Sequence, residues 1–244
     1  MGRSTADRAR CGTPRTRQRA GLDRRRARPM TFRVVLLRHG QTEWNARERY
    51  QGQTDVPLNE TGVVQAKEAA ERWLGTDFLA VRSSPLMRAR TTAEYVLQAR
   101  EVRRPVSQIV TVDARLAETA GGQWESLYFS EIATQWPEEF AQWRRPDINC
   151  GPVQGETPKE SGTRSAQAIR ETLSGVLPKL GHNGASATVL FVAHGNTLRA
   201  ATHVLLGQPD SHYGSVPRLE NCRAHILTYT PGASREFQLI DANV

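Results

Sequence analysis

A histidine that attacks an electrophile must have its imidazole held still, and a fixed positive charge beside it helps. Leu36-Leu37-Arg38-His39-Gly40-Gln41-Thr42, followed by Glu43-Trp44-Asn45, supplies both, because an apolar strand runs straight into an arginine, a histidine and a glycine. A second apolar run, Val189 to Ala193, likewise ends in His194-Gly195-Asn196. A third, Phe78 to Val81, leads into Arg82-Ser83-Ser84-Pro85-Leu86-Met87-Arg88, which opens a helical pattern. In open α/β sheets, ligands gather beyond the carboxyl ends of the strands, where loops meet helix N-termini. Two histidines and at least two arginines are therefore expected to converge at three strand ends. Arg-His-Gly alone is too short a string to specify chemistry, so the weight falls on this convergence.

The elements that must position these residues follow from periodicity. Strands are expected at 32–37, 78–82 and 108–112, and helices at 60–74, 86–99 and 159–179. Strands and helices follow at 188–193, 195–206, 222–229 and 236–240. Asn59 before Glu60 is a candidate N-cap, and Val63, Ala66, Ala70, Trp73 and Leu74 mark one buried face. This alternation predicts an α/β fold with a central, largely parallel sheet flanked by helices, a three-layer sandwich. The segment 119–158, rich in aromatics, Pro and Gly, reads as an excursion that caps the site. No repeat and no second domain is visible.

The chain resembles the histidine phosphatase superfamily, the phosphoglycerate mutase-like fold, from Thr31 to its C-terminus. The resemblance rests on Arg38-His39-Gly40, Asn45, Gln51-Gly52, Asp55-Val56-Pro57-Leu58, Gly62 and Gln65-Ala66. It continues through Ser84-Pro85-Leu86-Met87-Arg88-Ala89, Arg115-Leu116-Ala117-Glu118, Gly155-Glu156-Thr157 and Ala193-His194-Gly195. One departure stands out: relatives usually read Trp-Glu-Gly where this chain has Trp124-Glu125-Ser126, beside the loop of Glu118.

The resemblance implies a phosphatase in which His39 attacks phosphorus and carries a phosphohistidine. Arg38, Asn45, Arg88, His194 and Gly195 would hold the phosphoryl oxygens, with His194 also counted among the catalytic residues. Arginine suits that task because its planar fork offers paired hydrogen bonds at every working pH. Glu118 would give a proton to the leaving oxygen and later take one from water. Gln51, Gly52 and Glu118 would place the organic part of the substrate. No metal or other cofactor is implied. The expected substrate is a small phosphomonoester, and the expected oligomeric state a monomer or homodimer.

Other residues read as structural. His182, His203, His212 and His225 are expected at the surface or satisfied in the core, since none stands between a strand and a glycine. Arg90 and Arg199 read as ordinary solvated positions. Trp124, Trp136, Trp143 and Phe140 are expected to pack the core or cap, with one walling the cleft. Glu156, followed by Arg164, reads as a helix-start carboxylate rather than a reactant.

With 244 residues there is chain enough for one α/β domain with a sizeable core, and no apolar run approaches the ~20 residues of a membrane span. Cys11, Cys150 and Cys222 form no metal pattern and suggest a reducing, cytoplasmic setting. The net charge of +8 is unevenly spread. Residues 1–29 hold ten arginines against Asp7 and Asp23, which leaves 30–244 formally neutral. Such a tail cannot bury enough surface to fold alone and is expected to be disordered. It could be a nucleic-acid or anionic-surface arm or a transit peptide; the favoured reading is that Met30 is the true start. Nucleic acid is accordingly expected only through that tail.

Two other functions compete. Cofactor-dependent phosphoglycerate mutases share the catalytic set, but those relatives carry a longer insertion after the catalytic Glu and a small residue where Gln51 stands. Here Glu118 lies only 37 positions before Gly155, and a shorter cap should shield a phosphohistidine less from water, favouring hydrolysis. A non-catalytic phosphate-binding or interaction module would be expected to have lost part of the set, which is complete here.

Overall fold

The computed structural model describes residues 31–98, 110–179 and 187–244. The Arg-rich tail, residue 99, residues 108 and 109, and His182 lie outside the described residues. Six strands, β1 (Phe32–Arg38), β2 (Phe78–Ser83), β3 (Val110–Val112), β4 (Ala187–Ala193), β5 (Ala224–Tyr229) and β6 (Phe237–Ala242), form one sheet in the order β3-β2-β4-β1-β5-β6. β1 to β4 pair parallel with one another; β5 pairs antiparallel with β1, and β6 antiparallel with β5 at the edge.

A strand covered on both faces reads as an unbroken apolar run, and Val34-Val35-Leu36-Leu37 does so because alternate side chains enter different cores. Val34 and Leu36 pack with Ile169, Leu173, Leu198 and Leu205 from α6 (Pro158–Val176) and α7 (Gly195–Leu206). Val35 and Leu37 pack with Ala66, Ala69, Ala93 and Val96 from α2 (Glu60–Arg72) and α3 (Met87–Gln98). This is the expected three-layer α/β sandwich. Asn59 caps α2 as expected, its side chain accepting from the Gly62 N–H at 2.8 Å. The helix stops at Arg72, so Leu74 falls beyond its buried face and is exposed.

The 119–158 excursion contains two helices that periodicity did not reveal, α4 (Phe129–Gln135) and α5 (Pro137–Trp143); α1 is the single turn Glu43–Ala46. Each is too short to display a repeat of 3.6 residues. They close over an aromatic cluster of Tyr50, Trp124, Phe129, Phe140 and Trp143. Among the described residues no helix is long and apolar enough to cross a membrane.

Candidate active site

Register places the three predicted strand ends side by side. Arg38 pairs with Ala193 and Ser83 with Val192, so His39, His194 and Ser84 leave adjacent strands at one level. Backbone bonds from His39 N to Ala193 O (3.0 Å) and from Ser84 N to Val192 O (2.9 Å) extend the sheet to these residues. The glycine after His39 has a packing reason: a Cβ on Gly40 would collide with the Gly62 carbonyl of α2.

The two imidazoles lie edge to face with centroids 5.1 Å apart, and both are buried. His39 Nδ1 lies 2.6 Å from the Gly40 carbonyl, an acceptor only, so Nδ1 carries the proton and Nε2 keeps its lone pair. His194 Nε2 lies 2.7 Å from Ser84 Oγ. That hydroxyl also accepts the Leu86 N–H at 3.2 Å; giving its own hydrogen to Nε2 would place the His194 ring proton on Nδ1. Burial, with Arg88 and Arg38 nearby, holds His39 well below the ordinary histidine pKa. Burial, then Arg88, does the same to His194.

Both arginines are tied to carbonyl oxygens rather than carboxylates. Arg88 donates to Gly52 O (2.8 Å) and Thr54 O (2.9 Å), and Arg38 donates to Leu219 O at 2.7 Å. Burial lowers the Arg88 pKa to about 10, which still leaves it charged near neutral pH. Arg38 Nε, Arg88 Nε and His194 Nδ1 are buried and have no hydrogen-bond partner among the described residues. Two buried arginine N–H donors that border one cavity with an unprotonated imidazole Nε2 suit a phosphoryl group, whose oxygens are acceptors and whose phosphorus is the electrophile. Gly195 has a matching reason: a Cβ there would lie 3.2 Å from Arg38 Nε.

Glu118 is held at the start of α7. Its Oε1 accepts from Thr197 N (3.0 Å), Thr197 Oγ1 (2.9 Å) and Thr119 N (2.9 Å), while Oε2 has only a distant N–H of Asn196 at 3.5 Å. Behind it, Arg164 donates to the carbonyls of Arg115, Ala117 and Glu118 and pairs with Glu156 at 2.7 Å. Glu156 is therefore not a helix-start carboxylate: Thr157 caps α6, and Glu156 fixes the loop that carries Glu118.

These residues line a cleft of about 320 Å³ that also takes in Asn45, Gln51, Gly52, Gly195 and Arg199, with Trp143 among its walls. Asn45 Oδ1 accepts the Thr42 N–H at 3.1 Å, and Gln51 Oε1 accepts from Thr42 Oγ1 at 2.9 Å. Gly52 adopts φ 51°, and a Cβ there would collide with Glu125. All the expected site residues thus border one cavity except His194, which lies beneath it against His39. Arg90 is exposed as expected, whereas Arg199 is only 8% exposed and borders the cleft. His225 is buried with Nδ1 bonded to Thr202 Oγ1, and His212 is exposed. His203 departs from expectation, being buried with neither ring nitrogen partnered among the described residues. Sequence reading missed the roles of Ser84, Arg164 and Asn221, whose Nδ2 donates to His39 O at 3.0 Å. Only the position of Ser84 directly before Pro85 hinted at its place.

Among the described residues no group of three or more His, Cys, Asp and Glu could hold a metal ion. A family profile described as the histidine phosphatase superfamily (branch 1) matches residues 34–241. The glucosyl-3-phosphoglycerate phosphatase of Mycolicibacterium vanbaalenii is 37% identical over 177 residues, 72% of this chain and 75% of that protein. The 2,3-bisphosphoglycerate-dependent phosphoglycerate mutase 2 of Gloeobacter violaceus is 35% identical over 168 residues, 68% of this chain and 72% of that one. The solved structure of a mycobacterial glucosyl-3-phosphoglycerate phosphatase complexed with VO3 is similar with a TM-score of 0.76 and 31% identity, covering 87% of this chain and 99% of that chain. The chain belongs to the histidine phosphatase superfamily, branch 1, and is a phosphoric monoester hydrolase.

Proposed function

We propose that the protein hydrolyses a small phosphorylated metabolite in the cytoplasm through a phosphohistidine on His39, without a metal. The observation that carries this reading is the unprotonated His39 Nε2, which shares a cavity with two buried arginine N–H donors that have no partner among the described residues. Nε2 attacks phosphorus while the P–O bond to the leaving group breaks, and Glu118 gives that oxygen its proton. Water then attacks the phosphohistidine, loses its proton to Glu118 and releases inorganic phosphate. Arg38, Arg88, His194 and Asn45 bind the phosphoryl oxygens throughout, and the charge a metal would supply comes from the arginines. Segment 119–158 acts as a cap through Trp143. Phosphorylated glycerate derivatives are the first substrates to test, since the names of the phosphatase and mutase relatives both contain that unit.

A panel of phosphomonoesters with EDTA present should yield inorganic phosphate, and an acid-labile, base-stable phosphoenzyme should be trapped. His39→Ala should fold, lose the phosphoenzyme and lose at least about 10³-fold in kcat. Turnover abolished by EDTA and restored by Mg²⁺, or retained in His39→Ala, overturns the reading. Interconversion of 2- and 3-phosphoglycerate that depends on a bisphosphorylated primer and outruns phosphate release would make the chain a mutase, with the same role for His39.

A further inference from the structure

We propose that Gln65 is a positioning residue for the nucleophile: by holding the peptide between Gly40 and Gln41, it aims the Gly40 carbonyl at His39 Nδ1 and keeps the Nε2 lone pair free. The proposal rests on the reading that His39 Nε2 attacks phosphorus.

The need for an anchor begins with Gly40. Packing excludes a side chain there, because a Cβ would collide with the Gly62 carbonyl. A glycine leaves the peptide planes on either side of it free to turn, so neighbours must fix them. The plane between His39 and Gly40 is held from both sides. Its carbonyl accepts from Asn221 Nδ2 (3.0 Å) and Cys222 N (3.3 Å), and its N–H donates to Thr92 Oγ1 (3.1 Å). The Thr92 hydroxyl donates in turn to Arg88 O at 2.7 Å.

The next plane has a single anchor. The Gln41 N–H donates to Gln65 Oε1 at 2.8 Å. On the opposite side of the same trans peptide, the Gly40 carbonyl meets only the His39 ring among the described residues. Gln65 is half-buried and does not border the cleft. It stands on α2, whose start is tied to the same residue: Asn59 N donates to Gln41 O (3.0 Å) and Asn59 Nδ2 to Gln41 Oε1 (2.9 Å).

A half-turn of the plane between Gly40 and Gln41 would reverse the chemistry. It would bring the Gln41 N–H to His39 Nδ1 in place of the carbonyl. A donor there calls for an acceptor, so the ring proton would move to Nε2, the nitrogen that must attack. Gln65 opposes the turn, because turning takes the Gln41 N–H away from Oε1.

The test reads the ring proton directly. Nitrogen NMR of isotope-labelled protein near neutral pH, where burial keeps His39 uncharged, separates protonated from unprotonated ring nitrogens, and His39→Ala assigns the signals. The parent should carry the proton on Nδ1. Gln65→Met, similar in size but without the amide acceptor, should move a measurable share of it to Nε2. Its kcat should fall about tenfold with KM within about threefold, since Arg38 and Arg88 keep their carbonyl anchors. Gln65→Glu keeps an acceptor and should hold the proton on Nδ1 and restore most of kcat; a merely structural role would lower Tm without moving the proton. Should Gln65→Met not fold, Gln65→Ala gives the same reading. The ring proton is read without substrate, so failure to trap a phosphoenzyme would count against the phosphohistidine reading alone. A parent with its proton on Nε2, or a ring unchanged once the Gln65 acceptor is removed, overturns the positioning role.

Discussion

At the scale of single residues, each histidine of the site is set to its task by one partner. The Gly40 carbonyl frees Nε2 of His39 to attack, and the Ser84 hydroxyl holds Nε2 of His194 at 2.7 Å, with Nδ1 on the other side of the ring. Glu118 is placed differently: one oxygen is saturated by Thr197 and Thr119, which leaves the other for the substrate. Glu118→Gln keeps the shape but cannot supply an acidic proton. Its kcat should fall by about 10²-fold or more on alkyl phosphates and far less on aryl phosphates, whose leaving groups need no proton. Equal losses on both classes, measured side by side, would move Glu118 from proton transfer to binding.

At the scale of elements, the loops around the cleft are fastened to one another more than to the sheet. Glu125 accepts from Gln53 N, Thr54 Oγ1 and Gly121 N, joining the loop of Gly52 to the loop after Glu118. Gly52 O and Thr54 O then hold Arg88, and Asp55 accepts the Met87 N–H at the start of α3. Ser126 pivots this assembly at φ 71°, in the left-handed region that a side chain disfavours by about 1–2 kcal/mol. The glycine usual in relatives has a physical reason at this position. Ser126→Gly should relieve that strain but lose about 0.5–1 kcal/mol to the freer unfolded chain, for a net stabilisation of at most about 1.5 kcal/mol. Ser126→Val should instead destabilise by more than about 1 kcal/mol. Chemical denaturation that ranks valine at or above serine would show that the turn is not strained.

At the scale of the whole molecule, four buried histidines couple stability to pH. His39, His194, His203 and His225 are all held below the ordinary histidine pKa by burial first, with His225 lowered to about 4. The unfolded chain therefore binds protons that the folded one refuses. Their contribution is complete above about pH 6.5 and is lost as pH falls from there toward the folded values, by up to about 1.4 kcal/mol per pH unit for each group. Tm should fall steadily from pH 7 to pH 5, and His225→Gln should flatten that slope. A Tm constant over this range would contradict the burial of these rings.

The sheet, its flanking helices and the convergence of His39, His194, Arg38 and Arg88 are legible in the order of the residues. Those features are local: apolar runs, helical spacing and residues directly following strands report them without knowledge of distant neighbours. The remaining features depend on groups far apart in the chain. Arg199 stands in a helix like any solvated arginine until Tyr213 and Val216 cover it. Glu156 turns from the start of α6 to Arg164, and Asn221 reaches back 182 positions to the His39 carbonyl. The tautomers of both histidines likewise rest on which acceptor or hydroxyl lies within 3 Å of each ring nitrogen. Periodicity carries no record of such pairings, because a hydrogen bond between distant segments is set by how the layers pack and not by the spacing of residues along either one.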